Sequence, residues 1–245
     1  MPRVARAKSS SGYYHVMARG SGGQLLFECG EDYAVFLESL GSCADEHSVS
    51  LIAYCLMPNH VHLLVRDGDD ELGEMMHSLL SGGYAQSYNK RTGHVGHVFQ
   101  QRFKSCPVES DEYLLQLVRY IHENPAKAGI CKAEEYWWSS YHEYVAGSVR
   151  VDTNLVLSMV GGVSGFKRFS KAAVDRRVGG VFSRLSDSEA YETAVRELDG
   201  LLPSELKALS RARRNELILK LKGAGLTIRQ IERLTGIGRN IIARA

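Results

Sequence analysis

The 245-residue sequence predicts an α+β fold: a split βαβ antiparallel sheet with helices on one face over residues 1–145, followed by a mainly α-helical region over residues 146–245. Three observations carry that reading. Strand-like and helix-like apolar periods alternate in the order β-α-β-β-α-β-α up to about residue 145. A Pro-Asn turn signal joins two of the strands directly, and strand signals fade from about Asp152.

Tyr13 to Ala18 alternates loosely and holds Tyr, Val and His, which suits a strand, and Arg19-Gly20-Ser21-Gly22-Gly23 breaks it. Val35, Phe36, Leu37 and Leu40 recur at near-helical spacing, predicting an amphipathic helix from Asp32 to about Glu46. Val49 to Leu56 is the next strand, Met57-Pro58-Asn59 is a turn, and His60 to Arg66 completes a hairpin. A helix over Leu72 to Lys90 and a strand over Val95 to Val108 follow. Ser110-Asp111 can cap a helix running to Asn124, where Pro125 and Gly129 end it. The order is ferredoxin-like, with a domain boundary near residue 145. Near the end, Thr227 to Leu234 is amphipathic, Gly236 supplies a turn and Arg239 opens a short helix. That is a helix-turn-helix pattern over about 226–245, which generic helical hairpins share.

A composition of 44% hydrophobic and 24% charged residues can bury a core. No apolar run reaches the roughly 18 residues of a membrane helix, and the basic Met1 to Ser11 lacks the apolar stretch of a secretory signal. The protein is therefore expected in the cytoplasm. The five cysteines are odd in number and never form a CxxC pair, which argues against a disulfide framework and a thiolate zinc site. Net charge is only +2, but both ends are basic. Arg3, Arg6, Lys8 and Arg19 meet no acid in the first twenty residues, and ten Lys or Arg from Lys207 to Arg244 outnumber Glu205, Glu216 and Glu232. Such ends suit phosphates, although charge alone also fits a solvated surface. The candidate DNA contacts are Arg3 and Arg6 at the start, and Arg229 and Arg239 in the terminal helical pair.

His60-Val61-His62 sets two imidazoles at i and i+2 of a strand, so both project from one face. This is metal-ligand geometry, yet spacing alone also fits surface or core histidines, and a third ligand is needed. On the helix before Pro125, Leu114, Leu117, Val118 and Ile121 form the apolar stripe, while Tyr120 and Asn124 lie four apart along its flank. Either this flank presents a phenol and an amide oxygen, or Tyr120 edges the core and Asn124 caps the helix. Arg19, and Arg102 and Lys104 on either side of Phe103, are candidate phosphate contacts or ordinary edge-strand charges. Trp137, Trp138 and Tyr141 read as packing anchors.

Five stretches together resemble a known family. They are Tyr14-His15-Val16 with Arg19-Gly20, Met57 to Leu64, Gly96 to Lys104, Tyr120 to Pro125, and Trp138-Ser139-Ser140-Tyr141. In order and spacing they resemble the REP-associated tyrosine transposases, a branch of the single-tyrosine HUH (IS200-like) transposases, over most of residues 11–145. Gly23-Gln24 departs from the pattern, since many relatives carry basic or polar residues there.

The resemblance implies an HUH nuclease domain in which His60 and His62 are metal ligands, Tyr120 is the nucleophile and Asn124 takes the place of a third, oxygen-donating ligand. Related transposases use Gln there. It implies Mg2+ or Mn2+ as cofactor and a 5′-phosphotyrosine intermediate on single-stranded, hairpin or palindromic DNA. The expected protein is an active DNA strand transferase, a monomer or weak homodimer. The alternatives are a domesticated DNA-binding regulator that no longer cuts, and a replication initiator or relaxase with the same chemistry.

Overall fold

The structure, a computed structural model, describes residues 6–100, 102–172 and 187–245. The chain divides into two compact units, Met1–Val174 and Asp175–Ala245, so the helices that follow residue 145 are shared between them.

The first unit is built on four strands, β1 (Tyr13–Arg19), β2 (Ser50–Met57), β3 (His60–Arg66) and β4 (Lys104–Pro107). Their order is β2-β3-β1-β4 and every neighbouring pair is antiparallel. β1 and β2 therefore run the same way with β3 between them, joined through α1 (Gly30–Glu46), which is the split βαβ arrangement of the expected α+β class. Asp32 closes the first turn of α1 by accepting the Glu28 and Cys29 N–H groups, and its buried carboxylate also takes Arg91 Nε at 2.6 Å.

Both alternations of β2 and β3 are buried, whereas β1 leaves Tyr13 and Met17 half-buried and Arg19 exposed on the face it shares with His60 and His62. The edges are managed differently. β4 is four residues long and ends in Pro107, which donates no N–H. Along β2 runs the segment 136–140: Leu56 N donates to Trp138 O at 2.9 Å, Ser140 N to Tyr54 O at 3.0 Å, and Tyr136 Oη to Leu56 O at 2.6 Å.

Asp67, just after β3, accepts the N–H groups of Asp69, Glu71 and Leu72, which starts the next helix. That helix runs as α2 (Leu72–His77), one π-helical stretch (Ser78–Gly83) and α3 (Tyr84–Thr92). The strand expected over Val95–Val108 is cut to Lys104–Pro107. Gly93 and Gly96 adopt φ of +69° and +120°, and among the described residues the chain bridges to the sheet at Gly20–Phe99 before it reaches β4. Arg102 and Phe103 are therefore not strand residues. Ser110 Oγ then accepts Tyr113 N at 3.2 Å and caps α4 (Asp111–His122), worth about 1 kcal/mol. Leu114, Leu117, Val118 and Ile121 are buried as their spacing predicts, and α4 packs on β2 and β3. After Glu123 the chain turns once more as α5 (Asn124–Lys127), with Pro125 at its start, and α6 (Tyr141–Ala146), α7 (Asn154–Val160) and α8 (Gly162–Ser170) complete the unit.

The second unit comprises α9 (Asp187–Glu197), α10 (Arg211–Gly223), α11 (Ile228–Thr235) and α12 (Arg239–Arg244). Its core is aliphatic, with Leu206, Ile218, Leu221, Ile231 and Ile242 fully enclosed. Thr227 and Gln230 form a reciprocal capping box at the start of α11, and Gly236 ends it at φ +67°. No helix among the described residues is long and apolar enough to cross a membrane.

Candidate active site

Strand register assembles the site. Across the β1–β3 pair, His60 lies opposite Arg19 and His62 opposite Met17, and residues directly opposite share a face. His15, two residues before Met17, projects from the same face, as does Lys104, which pairs with Met17 from the other side. α4 lays Tyr120 onto this face. The Tyr120 ring is edge-on to His62 and to His15, with centroids 5.6 and 6.0 Å apart, and His60 stands 5.0 Å from His62. The phenol is only 4% exposed, and Lys127 sets its ammonium over the ring face at 4.3 Å from the centroid.

The turn that carries His60 is tied down from below. Gly20 N donates to Asn59 O at 2.9 Å, and Leu26 N to Pro58 O at 2.7 Å. Gly20 is required there, because a Cβ would fall 2.3 Å from the Gln24 carbonyl oxygen. Side-chain bonds then orient the imidazoles. His60 Nδ1 is 2.7 Å from Asn59 Oδ1, and His62 Nδ1 is 3.1 Å from His15 Nε2.

Charge completes the picture. Burial, helped by Arg19, lowers His60 to about 4, and burial with the nearby His15, His60 and Lys127 holds His62 well below the ordinary imidazole value. Burial alone pushes His15 down to about 3 and also lowers Lys127, which Glu123 partly counteracts. The imidazoles are thus neutral near pH 7, the form that binds metals, and the charges of Arg19 and Lys127 act on them. With each Nδ1 engaged, the Nε2 atoms are the ones left for a ligand. Asn124 donates its amide N–H to the carbonyls of Tyr120 and Ile121 at 2.9 and 3.3 Å, which leaves Oδ1 as its metal-competent atom. Two neutral imidazoles on one sheet face are donors that a divalent cation can use. Among the described residues, no cluster of three or more His, Cys, Asp or Glu is placed to hold one, so a third ligand would have to come from a group such as this amide.

The structure brings together Tyr120, His60 and His62, with Arg19 and Lys104 on the same sheet face. Arg6 stacks on Phe103 at 3.7 Å, and its guanidinium feels Arg102 nearby. Arg3 lies outside the described residues. Arg229 and Arg239 are exposed in the second unit, Arg239 paired with Glu232. Trp138 is an anchor, stacked on Tyr33 at 4.5 Å, and Tyr141 is buried. Trp137 is not an anchor: it is 73% exposed and stacks on His142.

Sequence reasoning gave no role to His15, Asn59 or Lys127. His15 and Asn59 stand inside the motifs quoted for the family resemblance. Lys127 follows Tyr120 by seven residues, two helical turns, a spacing that places both on one side.

Residues 8–124 match the family described as IS200-like transposase. That stretch, a little under half of the chain, is similar to that family. The matched stretch holds His15, His60, His62 and Tyr120 and ends at Asn124. A protein of Haemophilus influenzae with the provisional name of REP-associated tyrosine transposase is 23% identical to this chain over 125 residues, 46% of this chain and 71% of its own length. A solved REP-associated tyrosine transposase bound to a REP hairpin superposes with a TM-score of 0.50 at 17% identity, over 62% of this chain and 93% of its own. At that identity the likeness speaks for the fold alone.

Proposed function

We propose that this protein is a transposase that cleaves and rejoins single-stranded DNA beside hairpin or palindromic, REP-like elements, through a 5′-phosphotyrosine on Tyr120. The observation that carries the reading is the Tyr120 ring packed 5.6 Å from His62 on the sheet face that also presents His60. The hairpin bound by the solved relative supports the choice of DNA.

His60, His62 and Asn124 would hold the divalent cation, Mg2+ or Mn2+. When bound, that cation polarises the scissile phosphodiester and offsets its charge. Arg19 and Lys104 hold the flanking backbone from the same face, and Arg6 and Arg102, which lie near each other, are assigned to the same grip. Arg3 is assigned to the same grip from the sequence. The Tyr120 oxygen attacks phosphorus in line and the P–O3′ bond breaks. The phenol proton is lost to solvent, and the departing 3′-oxygen takes one up. One phosphodiester has been exchanged for another, so a DNA hydroxyl can later reverse the step without ATP. Arg229 and Arg239 extend the DNA grip from the second unit, and the protein acts in the cytoplasm as a monomer or weak homodimer.

The test is incubation of the full chain with labelled single-stranded hairpins and Mg2+ or Mn2+, followed by a denaturing gel. A covalent adduct that needs Tyr120 and metal is expected. Binding without any adduct, across the palindromes that flank the gene, would replace this reading with that of a non-cutting DNA-binding protein.

A further inference from the structure

We infer that His15 and Asn59 are positioning residues that fix the tautomer of the two candidate metal ligands, each accepting the Nδ1 proton of one imidazole so that both rings offer Nε2 to a shared cation. This rests on the reading of His60 and His62 as metal ligands.

A neutral imidazole carries one proton, and the hydrogen bond made by one nitrogen decides whether the other is free to bind a metal. For His60 the direction follows from chemistry. Asn59 Nδ2 faces the Gly23 carbonyl at 3.5 Å, and a carbonyl can only accept, so Asn59 turns Oδ1 toward His60. An amide oxygen also only accepts. The 2.7 Å contact must therefore be a donation from His60 Nδ1, which leaves Nε2 with its lone pair.

His62 repeats the arrangement with a different partner. Its Nδ1 shares one proton with His15 Nε2 across 3.1 Å, in a place that water does not reach. That proton belongs to His62 in this proposal, so that both candidate ligands adopt the same tautomer and His15 keeps its own proton on Nδ1. The partners are rigid for independent reasons: His15 is fixed in the middle of β1, and Asn59 sits in a turn whose backbone carbonyl is bound by Gly20 N. Gly23, the acceptor that orients Asn59, holds φ at +84°, a conformation that favours glycine. The Gly22-Gly23 break after β1 thereby acquires a purpose: it aims a carbonyl at the residue that aims His60.

Two measurements on the full chain without DNA test this. Long-range 15N–1H spectra of the metal-free protein should show His60 and His62 as Nδ1–H tautomers, and an Nε2–H tautomer on either ring overturns the proposal. Mn2+ titration followed by its EPR signal should show binding weakened about 10- to 100-fold in H15L and N59A. Binding should return toward the wild-type value in H15Q and N59D, which keep an acceptor oxygen. If H15L fails to fold, the Asn59 variants, altered in a partly exposed turn, decide alone. Unchanged Mn2+ binding in N59A and in any folded H15L overturns the proposal, as does equal loss in the acceptor-keeping variants. Wild-type protein that binds no Mn2+ at all overturns the metal-site reading together with it.

Discussion

The two units place their charged and polar groups in opposite ways. In the first, the groups that matter are buried and fixed by partners: His15, His62 and Tyr120 are nearly inaccessible, and the imidazoles are held by side-chain bonds of 2.7 and 3.1 Å. In the second, the core is aliphatic and the cations stand outside it, several paired at the surface, as Arg213 is with Glu216 and Lys220 with Asp199. Residues 1–174 carry 16 Lys or Arg against 19 Asp or Glu, and residues 175–245 carry 14 against 9. All nine histidines lie in the first unit. On the proposed function, the first unit would work by geometry and the second by surface potential. One should fail abruptly when an atom is removed, the other by increments.

The largest effect is expected from one oxygen. Tyr120→Phe keeps the ring that packs on His15 and His62, so the fold and hairpin affinity should persist while the covalent adduct falls below detection on a denaturing gel. Residual adduct in this variant would mean that another residue attacks.

How much of this was legible beforehand follows from how local each signal is. The Ser110 cap and the α4 stripe depend on residues within one helix, and both are where the spacing puts them. The shared face of His60 and His62 follows from the period of a single strand. His15 is different, because its meeting with His62 exists only through the β1–β3 register, which is a property of two strands 47 residues apart. Lys127 was missed because Asn124-Pro125 reads as a helix end, whereas proline opens a further turn and carries Lys127 back over Tyr120. β4 is shorter than its apolar pattern suggests: Val98, Phe99 and Phe103 are buried as a strand's residues would be, although among the described residues one bridge joins this stretch to the sheet.

A single methyl group should come next. Gly20→Ala places a Cβ 2.3 Å from the Gln24 carbonyl oxygen, and backbone must move to relieve it. A loss of about 1–3 kcal/mol in urea-unfolding stability is expected, with reduced adduct yield, because Gly20 N also holds the turn that carries Asn59 and His60. Wild-type stability in this variant would show that the turn yields freely, against the rigid geometry assigned to the first unit.

Acid should separate the units further. An ordinary imidazole titrates near 6.5, but burial keeps His15 and His122 neutral to about 3 in the folded state. Above pH 6.5 neither state gains a proton at these groups and no stability is lost. Between 6.5 and about 3 the unfolded chain takes up protons that the folded one refuses, so stability falls as pH falls, by at most about 1.4 kcal/mol per pH unit for each histidine. Urea unfolding at pH 7 and pH 5 should show that decline, and His122→Gln should make it shallower, while His15, His60 and His62 still contribute. A slope unaltered by that substitution would place the acid sensitivity elsewhere.

The smallest expected effects belong to the second unit. Arg229 and Arg239 are both exposed, but Arg239 is engaged with Glu232, so breaking that pair offsets part of what a phosphate contact returns. Arg229→Gln should weaken DNA binding several-fold and lower the slope of log affinity against log salt by about one, as loss of a single phosphate contact does. Arg239→Gln should change both by less, and Glu232→Gln, which releases Arg239, should tighten binding. Equal effects at the two arginines would mean that DNA displaces Glu232 from Arg239. No effect at either would leave the basic surface of this unit without a role in gripping DNA.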